Sequence, residues 1–209
     1  MTLADPISTR TPRVPRHRWR VVDLVAVAVL GSTFGVVYWA WNQLWLVTTP
    51  IFTVFPPAQT VFYGVWMLPQ VMAGMLVRRP GAALFGSMTA VIVSAFMGNA
   101  FGLTVLLYGL VQGGAAELVF ALTLYRSWNW LTAGLAAGLA GVCGTTLDVI
   151  LYFPFFTEAW KIAYVGIGGM SSFLLGAIFA PLVVRRLASA GALDGLPAGR
   201  AAAEARGVA

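Results

Sequence analysis

The chain carries one histidine, one cysteine and one lysine, and each scarcity removes a class of chemistry. His17 sits in a basic, proline-rich leader, apart from every apolar stretch, so no Ser-His relay can form in the body of the protein. Cys143 has no second thiol, which excludes a disulfide framework, and no His/Cys cluster is present to hold a metal. Lys161 stands in TEAWKIAY rather than in a GxxxxGK[ST] loop, so the chain lacks that route to binding ATP. An enzyme is not expected, and no cofactor or metal site is expected either. Charge is scarce as a whole, at 10% of 209 residues, against 59% hydrophobic residues and a mean hydropathy of +0.83. That balance lies outside the range of soluble globular proteins.

What is present is organised as apolar spans. Near-charge-free stretches cover approximately residues 20–41, 59–77, 80–97, 101–125, 130–153 and 162–187. Each approaches the length needed to cross a bilayer as a helix. The expected fold is an all-α integral membrane protein with six transmembrane helices. Residues 1–19 read as a basic tail, 20–187 as the membrane domain, and 188–209 as an Ala/Gly-rich tail without fixed structure. The first apolar stretch follows a basic leader without a small-residue cleavage pattern and is expected to be a retained span. Six spans put both termini on one side. Twelve of the thirteen basic residues fall there, with Lys161 alone opposite, so that side is expected to be cytoplasmic. The arginines cluster beside apolar spans without interleaved polar surface, which excludes nucleic acid as the reason for the charge of +6 and leaves the lipid bilayer.

The fourth span, FGLTVLLYGLVQGGAAELVFALTLY, holds Gln112 and Glu117 in its middle. At a rise of about 1.5 Å per residue it reaches about 37 Å, so Glu117 lies well inside a hydrocarbon core of about 30 Å. A central carboxylate costs about 2.5–3.5 kcal/mol and faces a protein interior or a wet cavity. Asp148 is the second acid within a span, on a stripe with Gly141, Gly144, Thr145 and Tyr152. No basic residue lies at comparable depth. These acids predict a cavity open to the outside for a cationic or amino-bearing ligand, with Glu117 at its deep end. Tyr38, Trp39, Tyr63, Trp66 and Tyr152, near the outer helix ends, are expected to stack on a flat ring or hold a cation. Gln112 is about 140° around the helix from Glu117 and is expected to serve packing more than binding. The first span presents Ala28/Ser32 and Gly31/Gly35 at small-xxx-small spacing, a face that lets another helix approach, from the same chain or from a partner.

The stretches WRVVD (19–23), FGVVY (34–38), RRPGAALFG (78–86), GNAFG (98–102) and GLVQGGAAELVFAL (109–122) together resemble the YkoE-like family of S components, the substrate-binding subunits of energy-coupling factor (ECF) vitamin transporters. The likeness spans about residues 19–187. It implies capture of thiamin or its hydroxymethylpyrimidine precursor outside a bacterial cell. The partners it implies are a transmembrane coupling (T) protein and two cytoplasmic ATPases. By that resemblance Glu117, Gln112 and Asn99 would contact the aminopyrimidine, while Ala28, Gly31, Ser32 and Gly35 would meet the coupling protein. Asp148 matches no family motif and rests on its chemistry alone. Competing expectations are a proton-coupled exporter of organic cations that uses Glu117, and a structural subunit without a ligand.

Overall fold

The computed structural model describes residues 18–205, and most of the basic tail expected over 1–19 lies outside them. The described residues form seven α-helices: α1 (Val21–Thr48), α2 (Leu68–Val77), α3 (Ala82–Phe96), α4 (Thr104–Leu122), α5 (Trp130–Leu151), α6 (Glu158–Ser189) and α7 (Pro197–Ala205). Two 3-10 segments, Thr49–Phe52 and Pro56–Met67, connect α1 to α2. Five stretches are long and apolar enough to cross a membrane: Val21–Phe52, Pro56–Val77, Thr104–Leu122, Trp130–Leu151 and Glu158–Ser189. α3 is apolar but has 15 residues, a rise of about 22 Å, and falls short of that length.

The helices surround α2, whose ten residues are all buried. α1 packs on α3, α3 on α4, α4 on α5 and α5 on α6, and the 3-10 segment before α2 lies against α6. Pro69 in that central path cannot donate a backbone hydrogen bond. The Trp66 carbonyl one turn earlier instead accepts from the Tyr38 hydroxyl and from Gln70 Nε2 (3.0 Å). A proline-freed carbonyl is tolerated inside a membrane protein when side chains satisfy it in this way.

Gly31 and Gly35, expected on a partner-facing surface, are buried against α3 within the same chain. A Cβ on Gly35 would lie 2.5 Å from Val93 Cβ and 2.9 Å from the Ala90 carbonyl oxygen, and one on Gly31 would lie 2.6 Å from Thr89 Cβ. Small residues here let two helix backbones approach where no hydrophobic effect drives them together. Gly35→Leu is expected to destabilise the fold by about 1–3 kcal/mol through overpacking. Melting of the purified protein in detergent reads this, and an unchanged midpoint would mean that α1 can lift from α3 at no cost. Of the two small pairs only Ala28 and Ser32 remain away from the core, with Ser32 exposed.

Two departures from the sequence expectation shape the fold. α1 continues seven residues beyond Trp41, to Thr48, because nothing in NQLWLVT breaks a helix before Pro50. Residues 42–48, which fall between the expected spans 20–41 and 59–77, are thereby helical. The C-terminal segment, expected to lack structure, folds back: Leu193, Leu196 and Ala198 are buried and α7 contacts α2 and α6. Its few apolar side chains suffice because Pro197 starts a helix and Arg20 Nη2 donates to the Gly195 carbonyl at 2.6 Å.

At this same end of the bundle Asp23 is fully buried. It accepts from Arg79 Nε (3.3 Å), Arg20 Nη2 (3.3 Å) and the Arg20 amide (3.0 Å). A buried carboxylate with two guanidinium partners is neutralised locally and pins the start of α1 to the turn before α3. Trp19 Nε1, donating to the Pro80 carbonyl at 3.0 Å, reinforces the junction.

Candidate functional site

At the end of the bundle opposite that arginine-bearing junction, α1, the 3-10 segment before α2, α3, α4, α5 and α6 enclose a cavity of about 290 Å³. Its wall is built from the upper turns of these helices. Tyr38, Asn42, Trp45 and Thr49 enter from α1 and the residue that follows it, at i, i+4, i+7 and i+11, a single helical face. Tyr63 and Trp66 come from the segment before α2, Tyr108 and Gln112 from α4, Asp148 from α5 and Tyr164 from α6.

Asp148 is the one ionisable acid among the lining residues and is 8% exposed. Its Oδ1 accepts from the Tyr108 hydroxyl at 2.5 Å and its Oδ2 from the Tyr164 hydroxyl at 3.1 Å. The Tyr63 hydroxyl lies beside the same carboxylate and accepts from Gln112 Nε2 at 3.4 Å. The result is a polar floor, Gln112–Tyr63–Asp148, with two further phenols converging on the acid. Phenol donors stabilise the carboxylate without cancelling its charge, so it stays an acceptor for a ligand N–H. Gly144 makes this closeness possible. A Cβ there would lie 2.3 Å from Gln112 Nε2 and 2.8 Å from the Tyr63 hydroxyl.

Above the floor the wall is aromatic. Trp45 and Trp66 stand 5.1 Å apart centroid to centroid, Tyr63 and Trp66 5.2 Å, and Trp45 and Tyr63 6.3 Å. Trp66 Nε1 donates to Asn42 Oδ1 at 3.0 Å, which fixes the indole face. Phe101, Tyr152 and Phe153 close the opposite side, where Tyr152 and Thr104 hydroxyls meet at 3.2 Å. Asn99 lines the cavity but spends its side chain on the turn: Nδ2 donates to Ser94 Oγ (2.7 Å) and Oδ1 accepts from the Phe101 amide (2.9 Å). A π-rich wall over an acidic floor suits a flat, nitrogen-bearing ring.

Of the residues expected to bind ligand, Tyr38, Tyr63, Trp66, Asn99, Gln112, Asp148 and Tyr152 meet at this cavity, and Trp39 and Glu117 do not. Trp39, about 100° round the helix from Tyr38, is half-buried and outside the lining. Glu117 is the larger correction. Its Oε1 accepts from the Gly81 amide (2.6 Å) and the Tyr125 hydroxyl (2.7 Å), and its Oε2 from the Ala83 (2.9 Å) and Leu84 (3.4 Å) amides. It caps α3, whose own N-cap residue, Gly81, has no side chain to offer. The first amides of a helix lack intrahelical acceptors and carry partial positive charge, so a carboxylate satisfies both needs. Burial and the Glu117 carboxylate together hold the Tyr125 phenol well above its ordinary range. Of the glycines beside Glu117, Gly113 admits α3, since a Cβ there would lie 2.7 Å from Ser87 Cβ, whereas a Cβ on Gly114 would meet nothing within 4 Å.

Gln112, a ligand contact by the resemblance and a packing residue by its angle from Glu117, lies in the floor of the cavity. Asn42, Trp45, Tyr108 and Tyr164 were not expected as ligand contacts. The spacing of Asn42 and Trp45 from Tyr38 carried a signal, hidden by ending the first helix at Trp41. Tyr164 carried none beyond being a tyrosine near an outer helix end.

Residues 22–143 match the family described as ABC-type cobalt transport system, permease component. A Bacillus subtilis (strain 168) protein, YkoE, named provisionally as an HMP/thiamine permease, is 29% identical over 183 residues, covering 87% of this chain and 91% of the relative. A solved crystal structure of an S component of an ECF transporter superposes with a TM-score of 0.86 at 28% identity, over 90% of this chain and 95% of the other.

Proposed function

Because this chain belongs to the family of ABC-type cobalt transport system permease components, we propose that it is the S component of an ECF importer that captures thiamin or hydroxymethylpyrimidine from outside the cell. The observation that carries this reading is the cavity itself: one carboxylate held by tyrosine hydroxyls beneath a wall of tryptophan and tyrosine rings. An aminopyrimidine would lay its ring against Trp45 and Trp66 and donate its amino N–H to Asp148, while the Gln112 amide engages a ring nitrogen. A metal ion, by contrast, is held by several converging charged or imidazole ligands, whereas this wall converges aromatic faces on one acid. The volume of about 290 Å³ sits at the lower edge of ligand pockets, about 300–1,000 Å³, and suits a one- or two-ring molecule.

In this reading six helices span the plasma membrane, α3 being the short one, and both termini are cytoplasmic. The arginines flanking α2, α4 and α6 then lie inside and the cavity opens outside. A coupling protein and two ATPases would supply the energy, and the outward Ala28/Ser32 face of α1 would be the docking surface. The exporter alternative loses its proton carrier, since Glu117 is occupied as a helix cap.

Titration of the detergent-purified protein with thiamin and with hydroxymethylpyrimidine, without ATP or a gradient, is expected to give a Kd below about 1 µM for at least one of them. No heat or fluorescence change with either ligand up to millimolar concentration would sink the proposal.

A further inference from the structure

Resting on that reading, we infer that the cavity takes its ligand only unphosphorylated and rejects the phosphate esters of the same compounds. The lining contains one acid, Asp148, and no Lys, Arg or His. At this end of the molecule the one described basic residue is Lys161, and its ammonium is paired with Glu158 Oε1 at 2.8 Å. The other described basic residues flank the opposite helix ends. Helix starts can bind phosphate through free amides. Beside the cavity, the turn into α4 directs two of its amides inward, Phe101 to Asn99 Oδ1 (2.9 Å) and Gly102 to the Asn99 carbonyl (3.0 Å).

A phosphate ester entering this space would surrender hydration with no cation to replace it, and it would bring its negative charge toward the Asp148 carboxylate. Between aromatic walls that repulsion is screened far less than in water. A cationic or neutral amine gains from the same carboxylate. The site therefore discriminates by an unfavourable charge pairing as well as by a favourable one. A phosphorylated source would have to lose its phosphate by ester hydrolysis before capture.

The test is a titration of the full-length protein with thiamin, hydroxymethylpyrimidine and the monophosphate of each, in one buffer at low salt. The expected result is that each monophosphate binds at least tenfold more weakly than its parent. Parents and esters within tenfold of one another would overturn this inference and leave the proposed function standing. Failure of both parents to bind would remove the proposed function and this inference with it. Asp148→Asn is expected to narrow the ester-to-parent ratio by at least threefold. Leu46→Lys, at a 44% exposed position on the rim, is expected to do the same without touching the buried floor. If neither variant narrows the ratio, the charge of the lining is not its source and the inference fails.

Discussion

Asp148→Asn is expected to lower affinity for thiamin or hydroxymethylpyrimidine by about 10- to 100-fold, since a hydrogen bond to a charged group contributes about 1.5–3 kcal/mol. The replacement keeps size and one acceptor oxygen, so one of the two tyrosine hydroxyls retains its partner, while the new NH₂ can donate to the other. What disappears is the negative charge that a ligand amine or cation would find at the floor. Because the shape survives, the loss should appear in binding and much less in folding. Titration calorimetry beside a melting curve separates the two, and wild-type affinity in the variant would remove Asp148 from the site.

Glu117→Ala is expected to do the opposite, costing about 2–3 kcal/mol of stability while leaving the affinity of the folded protein within about twofold. Three backbone amides at the start of α3 and the Tyr125 hydroxyl all depend on this carboxylate. These bonds lie partly buried at the start of α3, and an amide left without a partner there is costly. Glu117→Gln, which keeps one acceptor oxygen, should cost less. A lower melting midpoint with intact binding supports the capping role. Weakened binding at an unchanged midpoint would return Glu117 to the ligand.

The different partners of these two acids show where sequence reasoning succeeds and where it stops. Both residues were legible as costly groups that need a partner, and Asp148 was legible as part of a small, polar stripe on α5. The outer-end aromatics Tyr38, Tyr63, Trp66 and Tyr152 were legible for the same reason: ring-bearing, amphipathic residues collect where helices end. The identity of each acid's partner was not legible. Asp148 finds tyrosine hydroxyls from α4 and α6, whereas Glu117 finds backbone amides of α3, and an amide carries no mark in the sequence. Gly31 and Gly35 failed similarly, because small-residue spacing announces a close helix contact without saying whether α3 or another protein provides it.

By itself the sequence determined the helical membrane class, the absence of a Walker loop and the presence of acids within apolar helices. Those follow from composition, periodicity and the cost of charge in lipid, which act on each segment separately. Only the tertiary structure decided which acid serves the cavity and which serves the fold. That choice depends on which helix end stands opposite each carboxylate, a relation between segments far apart in the chain that no local pattern encodes.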